Sequence, residues 1–497
     1  MILRHTAARM APANRLIAII GATGTGKSQL AVDIARRCNG EVVNADAMQL
    51  YTGLPIITNK MPEHERAAVP HHLLGTIALD QETWTVTEFV SRARDVLADI
   101  HGRGKVPVLV GGSHYYVQSL LFEETLVDGG DERGDSSAFP ILDEPTPVVL
   151  ARLREVDPAM AQRWHPNDRR KIQRSLEIFL KKGKPASQTY AEQRLRKQQS
   201  DPDPTSKLTD SRAPPSGMRY SALLFWLHAD NACLRARLDA RVGNMLDAGL
   251  LDEVAELDAL RKQREAIAPV DLSHGIWVSI GYKEFEVYQH ALAAANGNTT
   301  GKGGEVSNAQ AKELALLRDE AIDRTRVATR QYAKRQIRWL RIKMLRALGE
   351  QARRSLFILD GTDVSAWDTA VSAPGVRVAQ AFLAGEELPD AWDVVGASEE
   401  ARALLRLCEQ GGEGAEETGV GVRRECELCG TIAVTAADWE KHTNSRKHKI
   451  RTKKTRDMKA KEVTDVVSGP DKKDGAGRKR EREETPDAAV KELERTR

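Results

Sequence analysis

Short, nearly continuous apolar runs alternate along this chain with longer stretches in which apolar positions return at helical spacing. The first run, "RLIAII", reads as a buried strand, and "SQLAVDIARRC" after it as a helix. "EVVNAD" is a second short strand that ends at a polar site. "TVTEFVSRARDVLADIHGRGK" has the pattern of an amphipathic helix, and "VPVLVGGSHYYVQSLL" that of a strand, a glycine turn and a helix. Strands alternating with helices predict an α/β fold on a parallel sheet. Ligands of such sheets sit beyond the carboxyl ends of the strands. Residues 21–28, Asp46 and residues 111–113 all follow strands and are predicted to share one edge.

From about Thr146 to Arg196 the pattern turns helical and basic, with no strand signal. Residues 198–217 are rich in Pro, Ser and Asp and read as a flexible insertion. "YSALLFWLHAD" is a returning strand, followed by one helical run, "NACLRARLDARVGNMLDAGLLDEVAEL". A loose stretch, "AAANGNTTGKGGEVSN", precedes a basic helix containing "TRQYAKRQIRWLR". The predicted divisions are a leader (1–14), the first part of the core (15–121), a helical insertion (122–196) and a flexible insertion (197–217). The rest of the core with its basic helices (218–394), a polar linker (395–420), a finger (421–452) and a disordered charged tail (453–497) follow. No internal repeat is present.

Composition changes this picture little. Lys plus Arg number 74 against 71 Asp plus Glu, so the balance of +3 excludes nothing, whereas the clustering of basic residues fits local nucleic-acid contacts. Five cysteines in 497 residues argue against a disulfide scaffold. No apolar stretch approaches membrane-spanning length. The leader carries Arg4, Arg9 and Arg15 and no acid, which fits either a weak mitochondrial presequence or an unstructured leader. Met10 offers a second start.

The sharpest chemical signal is "GATGTGKS". Gly21, Ala22, Thr23, Gly24, Thr25, Gly26, Lys27 and Ser28 fit the phosphate-binding pattern, in which backbone N–H groups and a helix N-terminus attract an anion. Lys27 adds a point charge, and Ser28 can ligate Mg²⁺. In "NADAMQLY", Asp46 reads equally as a helix cap, a support for Mg²⁺ or a general base. "GGSHYY" offers a close-approach turn and the hydroxyl of Ser113. Arg326, Arg330 and Lys334 stand at i, i+4 and i+8 on one helical stripe without a compensating acid in the segment. Such a stripe faces either solvent or an anionic partner. Near the C-terminus, Cys426-x₂-Cys429 and His442-x₅-His448 are separated by twelve residues, the spacing of a structural zinc finger.

Together these residues resemble the tRNA dimethylallyltransferase family, also called tRNA isopentenyltransferases. The resemblance runs in order through "GATGTGKS", "NADAMQLY", "PHHLLG", "VLVGGSHYY", "HPNDRRKIQRSLEIFLKKGKPAS", "NMLDAGLLDEV", "SIGYKEF" and "TRQYAKRQIRW", from Arg15 to Arg341. It implies a P-loop NTPase-like parallel sheet with a helical insertion that grips the tRNA anticodon stem-loop. The C-terminal Cys-Cys-His-His zinc finger is similar to those of eukaryotic members. It further implies transfer of a dimethylallyl group from dimethylallyl diphosphate to an anticodon-loop adenosine, in tRNAs reading codons that begin with U. The general base then falls on Asp46, and Ser113 replaces the family threonine as hydrogen-bond donor to the leaving oxygen. Arg330 is expected to neutralise departing charge beside Lys27. Contacts to tRNA are expected from Asp46, Ala47, Met48 and Gln49, from Arg170, Lys171, Ile172, Gln173 and Arg174, and from Lys334, Arg335 and Gln336. Mg²⁺ for catalysis, Zn²⁺ for the finger, a monomer, no membrane association and a mitochondrial, cytoplasmic or nuclear location complete the expectations. The competing classes are a P-loop kinase or NTPase, and a non-catalytic RNA-binding protein.

Overall fold

The computed structural model describes residues 14–123, 139–200, 217–298, 307–396, 398–411 and 423–467. Most of the leader and the flexible insertion, and parts of the linker and tail, lie outside the described residues. The chain forms two compact units, residues 1–418 and 419–497.

The first unit is organised by six parallel strands: β1 (Arg15–Gly21), β2 (Gly40–Asn44), β3 (His71–His72), β4 (Val106–Val110), β5 (Ser221–His228) and β6 (Leu356–Asp360). They lie in the order β3-β2-β4-β1-β5-β6. In β1 the side chains of Leu16, Ala18 and Ile20 enter one core and those of Ile17 and Ile19 the other. A strand covered on both faces needs apolar residues at every position, which is why "RLIAII" shows no alternation. Helix α1 (Lys27–Arg37) packs on one face, and α2 (Val86–Gly102) and α3 (His114–Leu121) on the other.

Among the described residues of the insertion stand the helices α4 (Thr146–Val156), α5 (Pro158–Arg163), α6 (Arg169–Lys182) and α7 (Ala186–Ser200). They enclose a core of their own, including Val149, Leu153, Ile172 and Leu176. Ile172 is fully buried there, which corrects its expected place among RNA-facing side chains. The run after β5 is two helices rather than one, α8 (Asn231–Asp247) and α9 (Leu250–Glu265). Gly249, at φ 102°, breaks them. Helix α10 (Tyr282–Asn298) pairs with the 32-residue α11 (Asn308–Trp339), whose start carries a reciprocal Ser307–Gln310 capping box. Strand β6, "LFILD", carried no expectation from the sequence.

In the second unit, β7 (Arg424–Glu425) and β8 (Ile432–Ala433) form an antiparallel pair ahead of helices Ala436–Asn444 and Arg446–Val467. The last helix takes in residues 453–467 of the tail expected to be disordered from Lys453, and residues 468–497 lie outside the described residues. Its Arg, Lys, Ala and Met residues are strong helix formers even without an apolar face.

Candidate active site at the carboxyl edge of the sheet

The loops after β1, β2 and β4 leave three neighbouring strands and meet at one edge. The approach is too close for side chains. A Cβ on Gly21 (φ 146°) would stand 2.5 Å from the Leu227 carbonyl oxygen, and one on Gly111 only 2.2 Å from the Ala45 carbonyl. Both glycines are therefore dictated by packing between strands.

Asp46 follows β2 in a turn held by Asn44, whose side-chain oxygen accepts the Asp46 N–H (3.0 Å) while its amide donates to the Asp46 and Leu73 carbonyls (3.1 and 2.8 Å). Oδ1 of Asp46 accepts the Met48 N–H at 3.1 Å. Desolvation raises the Asp46 pKa above the ordinary carboxylate range, and these N–H groups and the Lys27 charge only partly oppose it. Ser113 caps α3, and its Oγ accepts the Ala47 N–H at 3.0 Å, so the hydroxyl keeps a hydrogen to donate.

Lys27 sits half-buried with Nζ donating to the Ala22 carbonyl (2.7 Å). Its pKa falls to about 8, first through burial and then through Arg241, with Asp46 acting in the opposite direction. His114 is buried against Gly21 with Nε2 3.2 Å from that carbonyl, and burial with the Lys27 charge holds its pKa near 3, so the ring is neutral.

Helix α11 closes the site. Gln336 accepts the Thr23 N–H at 2.7 Å and donates to the Gly112 carbonyl at 2.9 Å, tying the phosphate loop to the glycine turn. At 4% exposed it serves this bridge, which corrects its expected RNA contact. Arg330 makes two hydrogen bonds to Asp239 of α8 (2.8 and 2.7 Å), and Arg326 pairs with Asp323 at 3.0 Å. The stripe does have counter-charges, one of them from a different helix. Gln49 donates to the Asn59 carbonyl (3.0 Å). Gln173 and Arg174 are engaged within the insertion, by the Leu142 carbonyl (2.6 Å) and Glu177 (2.8 Å). Lys171 lies over the Trp164 ring and pairs with Asp168. Arg170 and Arg335 are exposed.

Arg241 escaped the sequence reading. Its guanidinium donates to Thr23 Oγ1 at 2.9 Å, and burial lowers its pKa. The signal was present in outline. Leu234, Leu238 and Arg241 stand at i, i+4 and i+7 of α8, and the two leucines pack beneath Gly24. Only the fold reveals that this apolar stripe, ending in a cation, faces the loop.

In the second unit the ligand atoms of Cys426, Cys429, His442 and His448 all lie within 4.8 Å of one another. Each sulfur is 3.6 Å from His448 Nδ1, and tetrahedral Zn–S and Zn–N bonds place such atoms about 3.5 Å apart. His442 Nε2 is buried without a hydrogen-bond partner. The residues fit a four-ligand zinc site.

A glycine-rich loop after β1, the half-buried carboxylate of Asp46 at the end of β2 two strands away, and a basic helix across the gap fit a group transferase. Comparison with known proteins narrows the class. A family model described as IPP transferase matches residues 49–343. The tRNA dimethylallyltransferase of Schizosaccharomyces pombe is 36% identical over 463 residues, covering 89% of this chain and 96% of its own. The human tRNA dimethylallyltransferase is 32% identical, covering 91% and 89%. A crystal structure of a eukaryotic dimethylallyltransferase acting on tRNA superposes with a TM-score of 0.70 at 30% identity, covering 91% of this chain and all of that one. The chain belongs to the IPP transferase family of tRNA dimethylallyltransferases.

Proposed function

We propose that this protein transfers the dimethylallyl group of dimethylallyl diphosphate to the exocyclic amine of the adenosine 3′ of the anticodon, in tRNAs reading codons that begin with U. The observation that carries this reading is the meeting of the phosphate loop with Asp46, a carboxylate held by N–H donors and raised in pKa beside Lys27. A base poised next to a diphosphate cradle suits an acceptor amine that must lose a proton as the diphosphate leaves. The relatives' activity on tRNA supports the choice of acceptor.

In this mechanism the amine nitrogen forms a bond to the first carbon of the dimethylallyl group while the carbon–oxygen bond to diphosphate breaks. Asp46 takes the amine proton. The loop N–H groups, Lys27 and Arg241 hold the diphosphate, Arg330 adds charge as the leaving group departs, and the Ser113 hydroxyl donates to the leaving oxygen. Charge fixed in advance around a leaving group is often the largest catalytic contribution. The hard hydroxyl of Ser28, exposed at the start of α1, is the kind of donor Mg²⁺ takes, and the ion would supply further neutralisation of diphosphate oxygens. Gln49, Arg170, Lys171, Lys334 and Arg335 would position the anticodon stem-loop. The zinc-loaded finger would hold the tRNA body, with the protein acting as a monomer. A long form carrying Arg4 and Arg9 would enter mitochondria, and one starting at Met10 would remain in the cytoplasm or reach the nucleus.

The test is transfer of radiolabel from dimethylallyl diphosphate to a U-codon tRNA with Mg²⁺, with ATP hydrolysis followed in parallel. Label on the anticodon-loop adenosine supports the reading. ATP turnover without label replaces it with a kinase or NTPase.

A further inference from the structure

Beyond the phosphate loop, at the end of β5, three side chains of different elements converge. His228 closes the strand, and Asp230 follows two residues later. Glu400 projects from the first turn of helix Glu399–Glu409, which Ser398 caps. The backbone beneath them is fixed. The His228 carbonyl accepts the Gly361 N–H at 2.9 Å, and the Asp230 N–H donates to Thr362 Oγ1 at 2.9 Å.

His228 Nε2 lies 3.6 Å from Asp230 Oδ1 and 3.9 Å from Glu400 Oε2. These separations exceed hydrogen-bond length. Donors sharing one ion at ordinary metal–ligand lengths stand about 3.0 to 3.7 Å apart, so small side-chain adjustments would close the set. Two of the three atoms, His228 Nε2 and Asp230 Oδ1, are buried and have no hydrogen-bond partner. Leaving such buried atoms unsatisfied is destabilising. A shared cation removes both deficits at once.

A cavity of about 660 Å³ is lined by two of the three, Asp230 and Glu400. Besides Asp230 and Glu400, its lining includes Asp360, Asp363, Asp393 and Glu399, with Arg377 as a basic counterweight. An acidic, water-accessible vestibule raises the local concentration of cations. We propose that His228, Asp230 and Glu400 form a divalent-cation site, separate from both the finger and the phosphate loop. One imidazole and two carboxylates suit Mn²⁺ or Zn²⁺ better than Mg²⁺ or Ca²⁺, which prefer oxygen throughout. The ion pins helix Glu399–Glu409 to the end of β5, whose Leu227 is paired in register with Gly21 of the phosphate loop.

The experiment is a Mn²⁺ titration of the full-length protein, its finger preloaded with Zn²⁺ and diphosphate absent, with free Mn²⁺ read by electron paramagnetic resonance. One equivalent should bind and show nitrogen modulation from an imidazole. His228→Ala should remove that modulation, and His228→Ala and Glu400→Gln should each weaken binding at least tenfold. Asp393→Asn, in the same vestibule, should change it less than threefold. Melting temperatures of the metal-free variants check that each folds, and only the wild type and Asp393→Asn should gain stability on adding Mn²⁺. Absence of a bound equivalent would mean the trio is an ion-pair cluster and overturn the proposal. Equal weakening by Asp393→Asn would overturn it too, as would loss of binding in Ser28→Ala, which would move the ion to the phosphate loop.

Discussion

Replacing Asp46 with Asn changes one atom of the site and tests its central assignment. Asp46 is held by the Met48 N–H on Oδ1 and influenced by the N–H groups of Gly112 and Gln49. Asn presents a single oxygen to these donors and retains the size of the side chain, so the turn after β2 should survive. What disappears is the proton acceptor. Loss of a positioned general base costs about 10²- to 10⁴-fold in rate, or ~3–5 kcal/mol of barrier. The affinity for dimethylallyl diphosphate should change only a few-fold, because Lys27, Arg241 and the loop N–H groups remain. The pH profile adds a second readout. In the wild type, transfer should rise as Asp46 loses its proton, with a midpoint above the ordinary value of 3.8, and fall near 8 as Lys27 loses its own. The variant should lack the acid limb. Its basic limb should move to lower pH, because the Asp46 charge that favours protonated Lys27 has gone. Single-turnover transfer of labelled dimethylallyl groups to tRNA across this pH range is the assay. A variant within tenfold of wild type, or one with an unchanged acid limb, would refute Asp46 as the base.

Gly111→Ala forces a Cβ to within 2.2 Å of the Ala45 backbone, which has no flexible end to yield, and overpacking of this kind costs about 1–3 kcal/mol. Denaturant unfolding should show that loss together with a fall in transfer. Glu41, at the opposite end of β2 from the site, is buried among Arg103, Lys105 and His72, whose hydrogen bonds hold its pKa far below the ordinary 4.5. Glu41→Gln should cost about 2–3 kcal/mol at pH 7, since the partly exposed cations regain water, with transfer intact at temperatures where the variant is folded. The wild-type stabilisation is whole above about pH 4.5 and is lost as pH falls through the depressed value, so the difference between the two proteins should shrink in acid melts. Cys426→Ala breaks the four-ligand set and should release one Zn²⁺ and weaken tRNA binding in filter assays, while dimethylallyl diphosphate binding survives. Equal loss of both would refute that separation of roles.

Much of the site could be read before any fold was known, because its chemistry is written in contiguous segments. The phosphate loop, "NADAMQ" and "GGS" each carry turn chemistry at a strand end, and strand ends of a parallel sheet share an edge. The finger is legible for the same reason, since four ligand types at fixed spacing need no distant partner. Helix boundaries were less secure. The run after β5 looks continuous until Gly249 adopts a left-handed conformation, and residues 453–467, helical in the structure, look unstructured in the sequence because they have no apolar face. Exposed helices of good helix formers carry no periodic signal.

The sequence by itself determined the alternation of strands and helices, the glycine-rich loop, the candidate base and the candidate zinc ligands, since each depends on local spacing and residue type. Tertiary structure alone decided which long-range partners those groups meet. Gln336 reaches Thr23 and Gly112 across more than two hundred residues, Arg330 finds Asp239 on another helix, and Arg241 reaches Thr23 from a stripe that looks merely apolar. The trio of His228, Asp230 and Glu400 also exists only once β5 and helix Glu399–Glu409 have packed. Local conformation follows from neighbours within a few residues, whereas a side chain's partner is fixed by which faces bury together, and no short window of sequence contains that choice.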